Sequence, residues 1–287
     1  MKVNGYNCTL EAIEAGSQDG DLVILIHGFP DSPSNWQDVI NQLAKEGFRV
    51  VAPWIRGYFP SELAPPYNIG ALGLDIIKIA ENYSANSQTI LVGHDFGAMG
   101  TYCAANLRPD LFSKVVTMSV PPFGAIFEGF LTPQQLKKSW YIFFNQTYIA
   151  DIVVPMNDFN FIDELWKDWG PKSLSDYSVY STEAKKCFKT PENVQAALAY
   201  YRNLFNQTDQ QDPEVQKALN AYQIPVSLPC LYLHGEIDGC IGIEVGDIAI
   251  KYMNESSRYK IVKNAGHFLY ADNQLDTLNE ILEWIKS

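Results

Sequence analysis

The chain has 287 residues, 47% of them hydrophobic, which is enough for one large core or a core carrying an insertion. Its formal charge of −12, from 21 basic and 33 acidic residues with no long basic run, argues against a nucleic-acid or anionic-membrane partner. Its five cysteines, Cys8, Cys103, Cys187, Cys230 and Cys240, are scattered and show no CxxC spacing, so neither a disulfide framework nor a zinc site is expected.

The first residues, "MKVNGYNCTLEAIEAG", carry no apolar signal core, and no apolar run is long enough to span a bilayer. A cytosolic protein is expected. Short β-branched runs then alternate with helical stretches: "DLVILIHG" at 21–28, "FRVVAPWIRG" at 48–57, "ILVGHD" at 90–95, "FSKVVTMSV" at 112–120, "LPCLYLHGE" at 228–236 and "RYKIVKNAGH" at 258–267. Continuous Val, Ile and Leu suit parallel strands buried on both faces. Between them "NWQDVINQLAKEG" places Val39, Ile40 and Leu43 at helical spacing and ends on Gly47, a C-terminal cap. "IGALGLDIIKIAENY" reads as a second helix, and "LDTLNEILEWIKS" closes the chain as an amphipathic third. This alternation predicts an α/β fold: a mostly parallel, twisted sheet with helices on both faces.

The alternation stops between "PPFG" at 121–124 and "IPVSLP" at 224–229, with prolines at both edges. Residues 122–222 show helical periodicity and no buried strand, and divide a core formed by 1–121 and 223–287. Leu136, Trp140, Phe143 and Thr147 make one stripe of a predicted helix, with Tyr141, Phe144 and Tyr148 on the adjacent stripe. A helical insertion leaving after one strand and returning before another lies over the carboxyl ends of the strands, where such sheets bind ligands. It reads as a lid.

Chemistry concentrates at "ILVGHDFGAMG", residues 90–100. Strand, Gly-x-Asp-x-Gly and helix form the frame of a nucleophile elbow, which needs small neighbours, here Gly93, Gly97 and Ala98. The presented residue is Asp95, where a serine is commoner, and the helix N-terminus favours its anion. "HGFPDSP" at 27–33 follows an earlier strand as an oxyanion-hole loop does, so the backbone N–H of Phe29 pairs with that of Phe96. "HGEIDG" supplies Asp238 after the next-to-last core strand, and "NAGHFLY" supplies His267 after the last. Nucleophile, acid, histidine is the chain order of the α/β-hydrolase fold. His27 and His94 read as loop hydrogen-bonders, His234 as structural, and Trp166 and Trp169 as lid packing.

Over nearly its whole length the sequence resembles the α/β-hydrolase superfamily. The Asp after "GH" and the "HGFP" loop are similar to those of its epoxide hydrolase branch. That resemblance implies two lid tyrosines that donate to the epoxide oxygen. One lies in Tyr-x-x-aromatic-x-Gln, matched by "YIFFNQ" at Tyr141; the other precedes Arg-Asn, matched by "YYRN" at Tyr201, with Tyr200 as the alternative. It also implies an epoxide substrate, a diol product and no cofactor or metal. A monomer or homodimer is expected. A carboxylate fits this chemistry because it can displace at an sp³ carbon and form an alkyl ester.

Two other readings remain. A haloalkane or haloacid dehalogenase uses the same Asp, acid and His, but haloalkane enzymes typically bind halide with a Trp after the nucleophile and often an Asn in the "HG" loop. Phe96 and Phe29 stand there instead, and "DFGAMG" offers no arginine for a haloacid. A non-catalytic ligand-binding protein on this fold is the second alternative.

Overall fold

The computed structural model describes residues 1–83, 89–172, 176–205 and 212–287, so 173–175 and 206–211 of the expected insertion lie outside the described residues. The strands are β1 (Lys2–Asn4), β2 (Thr9–Ala15), β3 (Leu22–Ile26), β4 (Arg49–Pro53), β5 (Ile90–His94), β6 (Lys114–Met118), β7 (Cys230–Gly235) and β8 (Arg258–Val262). They form one sheet in the order β1-β2-β4-β3-β5-β6-β7-β8. From β4 across to β8 every pairing is parallel, and β2 pairs antiparallel with both β1 and β4. The central strands β3 and β5 are buried at every position, as their unbroken apolar runs require. Edge strand β8 is mostly exposed or half-buried, covered on fewer sides.

In chain order the helices are α1 (Gln37–Lys45), α2 (Ile69–Asn82), α3 (Phe96–Leu107), α4 (Phe123–Phe130), α5 (Pro133–Lys138), α6 (Trp140–Phe144) and α7 (Ile149–Val153). There follow α8 (Met156–Trp169), α9 (Ser178–Lys185), α10 (Pro191–Phe205), α11 (Pro213–Tyr222), α12 (Ile243–Gly246), α13 (Leu269–Asp272) and α14 (Gln274–Lys286). The predicted helices over "NWQDVINQLAKEG", "IGALGLDIIKIAENY" and the C-terminal segment are α1, α2 and α14. Gly47 follows α1 with φ +95°, and Asn68 caps α2 by accepting from the Ala71 N–H at 2.9 Å. Among the described residues no helix is long and apolar enough to cross a membrane.

Two features differ from the sequence reading. The hairpin β1–β2 carried no prediction: its strands are short and only alternate positions such as Val3, Leu10 and Ala12 are buried. The aromatic stretch after residue 132 is three short helices rather than one. Gln135, on α5, donates its side-chain amide to the Ser139 hydroxyl and the Cys240 carbonyl (both 2.9 Å) and accepts from the Gly242 N–H (2.8 Å), which anchors the end of that helix to the core. Arg202 donates to the carbonyls of Asn145 and Thr147, between α6 and α7, at 3.1 and 3.2 Å, so a tertiary partner holds the gap between the two helices.

Candidate active site

Asp95 sits between β5 and α3 with φ 54° and ψ −122°, a backbone region that non-glycine residues rarely occupy. The conformation is held by close packing. A Cβ on Gly97 would collide with the Ile26 carbonyl oxygen, and one on Gly93 with that of Gly97. Small residues therefore let the helix start against the strand ends. A Cβ on Gly28 would likewise strike Asp95 and fall 2.5 Å from the Phe96 nitrogen, so the "HGFP" loop reaches the elbow only as glycine. The Phe29 N–H donates to Asp95 Oδ1 at 2.8 Å.

His267 follows β8. Its Nδ1 lies 3.0 Å from Asp238 Oδ2, so this nitrogen carries the proton given to the carboxylate, and Nε2 lies 3.5 Å from Asp95 Oδ2. The other Asp238 oxygen accepts from the N–H groups of Cys240 (2.7 Å) and Ile241 (2.9 Å). All three side chains are buried. Burial pushes Asp95 up, but the His267 ring beside it and the Phe29 N–H outweigh that and hold the carboxyl below its usual range. Burial opposes a charged His267, yet the Cys240 sulfur and the Asp238 and Asp95 carboxylates outweigh it and raise the ring well above its usual value.

Both assigned tyrosines reach the same cavity, of about 540 Å³, that Asp95 lines. Their rings meet edge to face at 5.7 Å. The Tyr141 hydroxyl lies 3.0 Å from Cys240 Sγ, whereas the Tyr201 hydroxyl is buried with no hydrogen-bond partner. Tyr200 points away: its hydroxyl donates to the Arg56 carbonyl at 3.3 Å, and it does not line the cavity. Burial raises both Tyr141 and Tyr201 well above the ordinary phenol range, so both keep their protons as donors.

The remaining histidines and tryptophans serve the framework. His27 Nδ1 donates to the Gly28 carbonyl at 2.9 Å while its Nε2 accepts from the Ile55 N–H at 3.1 Å; burial lowers its pKa to about 4. His234 lies between the Tyr232 hydroxyl and the Ile241 carbonyl. Trp166 donates to the Pro30 carbonyl at 2.9 Å and stacks on Phe268. Trp169 offers its backbone carbonyl to the N–H groups of His267 (2.9 Å) and Gly239 (3.2 Å), which ties α8 to the loops that carry His267 and Asp238.

Sequence reasoning gave no role to Ser119, whose hydroxyl donates to the His267 carbonyl, as does His94 Nε2 at 2.9 Å. It also missed Asp31, a buried carboxylate accepting from Tyr270 (2.6 Å), Asn35 (2.7 Å) and Trp36 (2.9 Å). Burial raises Asp31 to about 6. The acidic residue in "HGFPDSP", followed by Asn35 and Trp36, was the available signal.

Residues 21–274 match the family model described as alpha/beta hydrolase fold. The chain belongs to the α/β-hydrolase fold family. Among curated relatives, this α/β-hydrolase is 27% identical over 292 residues to epoxide hydrolase 4 of Homo sapiens, covering 98% of this chain and 76% of the relative. It is 31% identical over 212 residues to the AB hydrolase superfamily protein YfhM of Bacillus subtilis (strain 168), covering 70% and 72%. Among solved structures, an epoxide hydrolase from Bacillus megaterium in complex with an inhibitor superposes with a TM-score of 0.81 at 22% identity, with all of both chains covered. Epoxide hydrolase A from Mycobacterium thermoresistibile gives 0.83 at 22% identity, covering 100% of this chain and 98% of the other.

Proposed function

We propose that this α/β-hydrolase opens apolar or aromatic epoxides to vicinal diols through a covalent ester on Asp95. The observation carrying this reading is one cavity that joins a carboxylate at a nucleophile elbow to two protonated phenols, with His267 Nε2 3.5 Å from that carboxylate. Asp95 attacks a ring carbon, the C–O bond breaks, and Tyr141 or Tyr201 gives its proton to the leaving oxygen. His267, oriented by Asp238, then takes a proton from water, and the hydroxide adds to the ester carbonyl. The Phe29 and Phe96 N–H groups hold the oxyanion. Collapse releases the diol oxygen, which takes the proton from His267. In this reading residues 122–222 are a cap over the core formed by 1–121 and 223–287.

The relatives named epoxide hydrolases support the reaction class, and the cavity supports the apolar substrate: Met99, Phe123, Ile126, Phe130 and Leu204 are among its lining residues. No Trp, Asn or Arg side chain lines it among the described residues, which weighs against a halide-binding role.

The test is intact-mass spectrometry of the His267→Gln variant after exposure to epoxide and alkyl halide panels. Loss of the general base stalls the ester, so the expected adduct equals the whole epoxide mass on the Asp95 peptide. An adduct equal to the alkyl halide less hydrogen halide would make the protein a dehalogenase. No adduct from either panel would point to a ligand-binding role.

A further inference from the structure

Cys240 has no part in the chemistry above, yet it lies where two of its partners meet. Its sulfur is 3.0 Å from the Tyr141 hydroxyl, with either group able to donate. Cys240 Sγ, a carboxylate oxygen of Asp238 and a ring nitrogen of His267 all lie within 4.8 Å of one another. The backbone fixes the thiol there: the Cys240 N–H bonds Asp238 Oδ1 at 2.7 Å and its carbonyl accepts from Gln135 at 2.9 Å. Cys240, Tyr141 and His267 are all buried, and His267 Nε2 has no hydrogen-bond partner. Cys240 does not line the cavity. It therefore meets the reaction only through Tyr141 and His267.

The proton count gives such a residue a task. In the proposed reaction the epoxide oxygen leaves with the phenolic proton, so a tyrosine ends the cycle as phenolate. Ester hydrolysis leaves Asp95 as a neutral acid, holding a proton that the attacking water brought. The enzyme is restored only when that proton travels from Asp95 to the phenolate, and both side chains are buried.

We propose that Cys240 is a positioning residue that returns this proton from His267 to Tyr141, resting on the epoxide reading above. Asp95 passes its proton to His267 Nε2, 3.5 Å away. Cys240 gives its S–H proton to the Tyr141 phenolate, and the thiolate takes the proton from the imidazolium, so each group ends in its starting form. Burial raises the Cys240 thiol, which keeps it in the S–H form between turnovers.

The experiment compares the full-length enzyme with Cys240→Ala and Cys240→Ser on styrene oxide, following diol formation through the first turnover and into the steady state over a series of imidazole concentrations. The first turnover needs no returned proton. Cys240→Ala should release one enzyme equivalent of diol at nearly the unaltered rate, then run with kcat and KM both lowered on the order of tenfold or more, so that kcat/KM is unchanged. Added imidazole should restore that kcat, and Cys240→Ser, which keeps a proton-carrying hydroxyl, should stay close to the unaltered enzyme. An undiminished kcat in Cys240→Ala overturns the proposal. So does a first turnover slowed in step with kcat and indifferent to imidazole, which would make the thiol a packing residue. Absence of ester in the His267→Gln variant on every epoxide overturns the reaction itself, and the relay with it.

Discussion

Asp95 and His267 set each other's charge, and this pairing changes during the proposed reaction. In the resting site the two carboxylates raise the His267 pKa and the imidazolium lowers that of Asp95. Alkylation converts Asp95 to a neutral ester and removes one of the charges that raise the pKa of the ring. The His267 pKa then falls, which favours the neutral ring as the base for hydrolysis. The signs differ for the two half-reactions. Asp95 stays ionised as pH falls through the ordinary carboxylate range, because its folded-state pKa lies below it. Ester hydrolysis needs neutral His267 and is lost as pH drops through the lowered pKa of the intermediate. Rapid-quench mass spectrometry should show an alkylation rate nearly flat from about pH 8 to about pH 5. Over the same range hydrolysis should slow and ester should accumulate. Both rates falling together would contradict this assignment.

At the scale of elements, the elbow depends on β5 and α3 meeting without side chains between them, and a buried ion pair holds the neighbouring layer. Arg56, after β4, donates through Nε and Nη2 to the two oxygens of Asp75 on α2, both at 2.6 Å, with both side chains buried. Arg56 also donates to the Tyr6 carbonyl, and Asp75 accepts from the Tyr6 N–H, so the pair pins the β1–β2 hairpin to the body of the sheet. Replacing Asp75 with Ala strands a buried guanidinium and should cost about 3–5 kcal/mol, read as a large fall in the chemical-denaturation midpoint. A near-unchanged midpoint would mean that water replaces the carboxylate. The ion pair was not legible in the sequence, because the partner of Arg56 is nineteen positions later on a helix and no local spacing connects them. The elbow, by contrast, was legible at once. Its glycines are enforced within a few residues of Asp95, and local constraint leaves a local pattern.

Across the whole molecule, the cavity is built by chain segments far apart in sequence. Asp95 and Phe96 come from the turn between β5 and α3, Phe123 to Phe143 from the short helices after β6, and Tyr201 and Tyr222 from α10 and α11. Several lining residues are also exposed, with Phe127 67% and Leu131 68% accessible, so the apolar surface runs from the carboxylate outward. A substrate carrying a phenyl group should gain about 2–3 kcal/mol of burial over a hydroxymethyl analogue. The expected kcat/KM for styrene oxide is therefore about 30- to 150-fold above that for glycidol, measured by diol formation. Equal values would show that the apolar wall does not contact the substrate.

The order of strand ends, the elbow glycines and the residue types at 95, 238 and 267 follow from the sequence, because strand pairing and tight turns impose short-range patterns. The run of helices from α4 to α11 between β6 and β7 also left a mark, in the change of period and the flanking prolines. Choosing between Tyr200 and Tyr201 required packing: adjacent residues on a helix point about 100° apart, and only their neighbours tell which meets the cavity. The break at Ser139, the Ser119 and Trp169 supports of His267, and the seat of Cys240 between Tyr141 and His267 needed the folded chain for the same reason. Their partners lie about 70 to 150 positions away in sequence, and a contact at that separation leaves no periodicity to read.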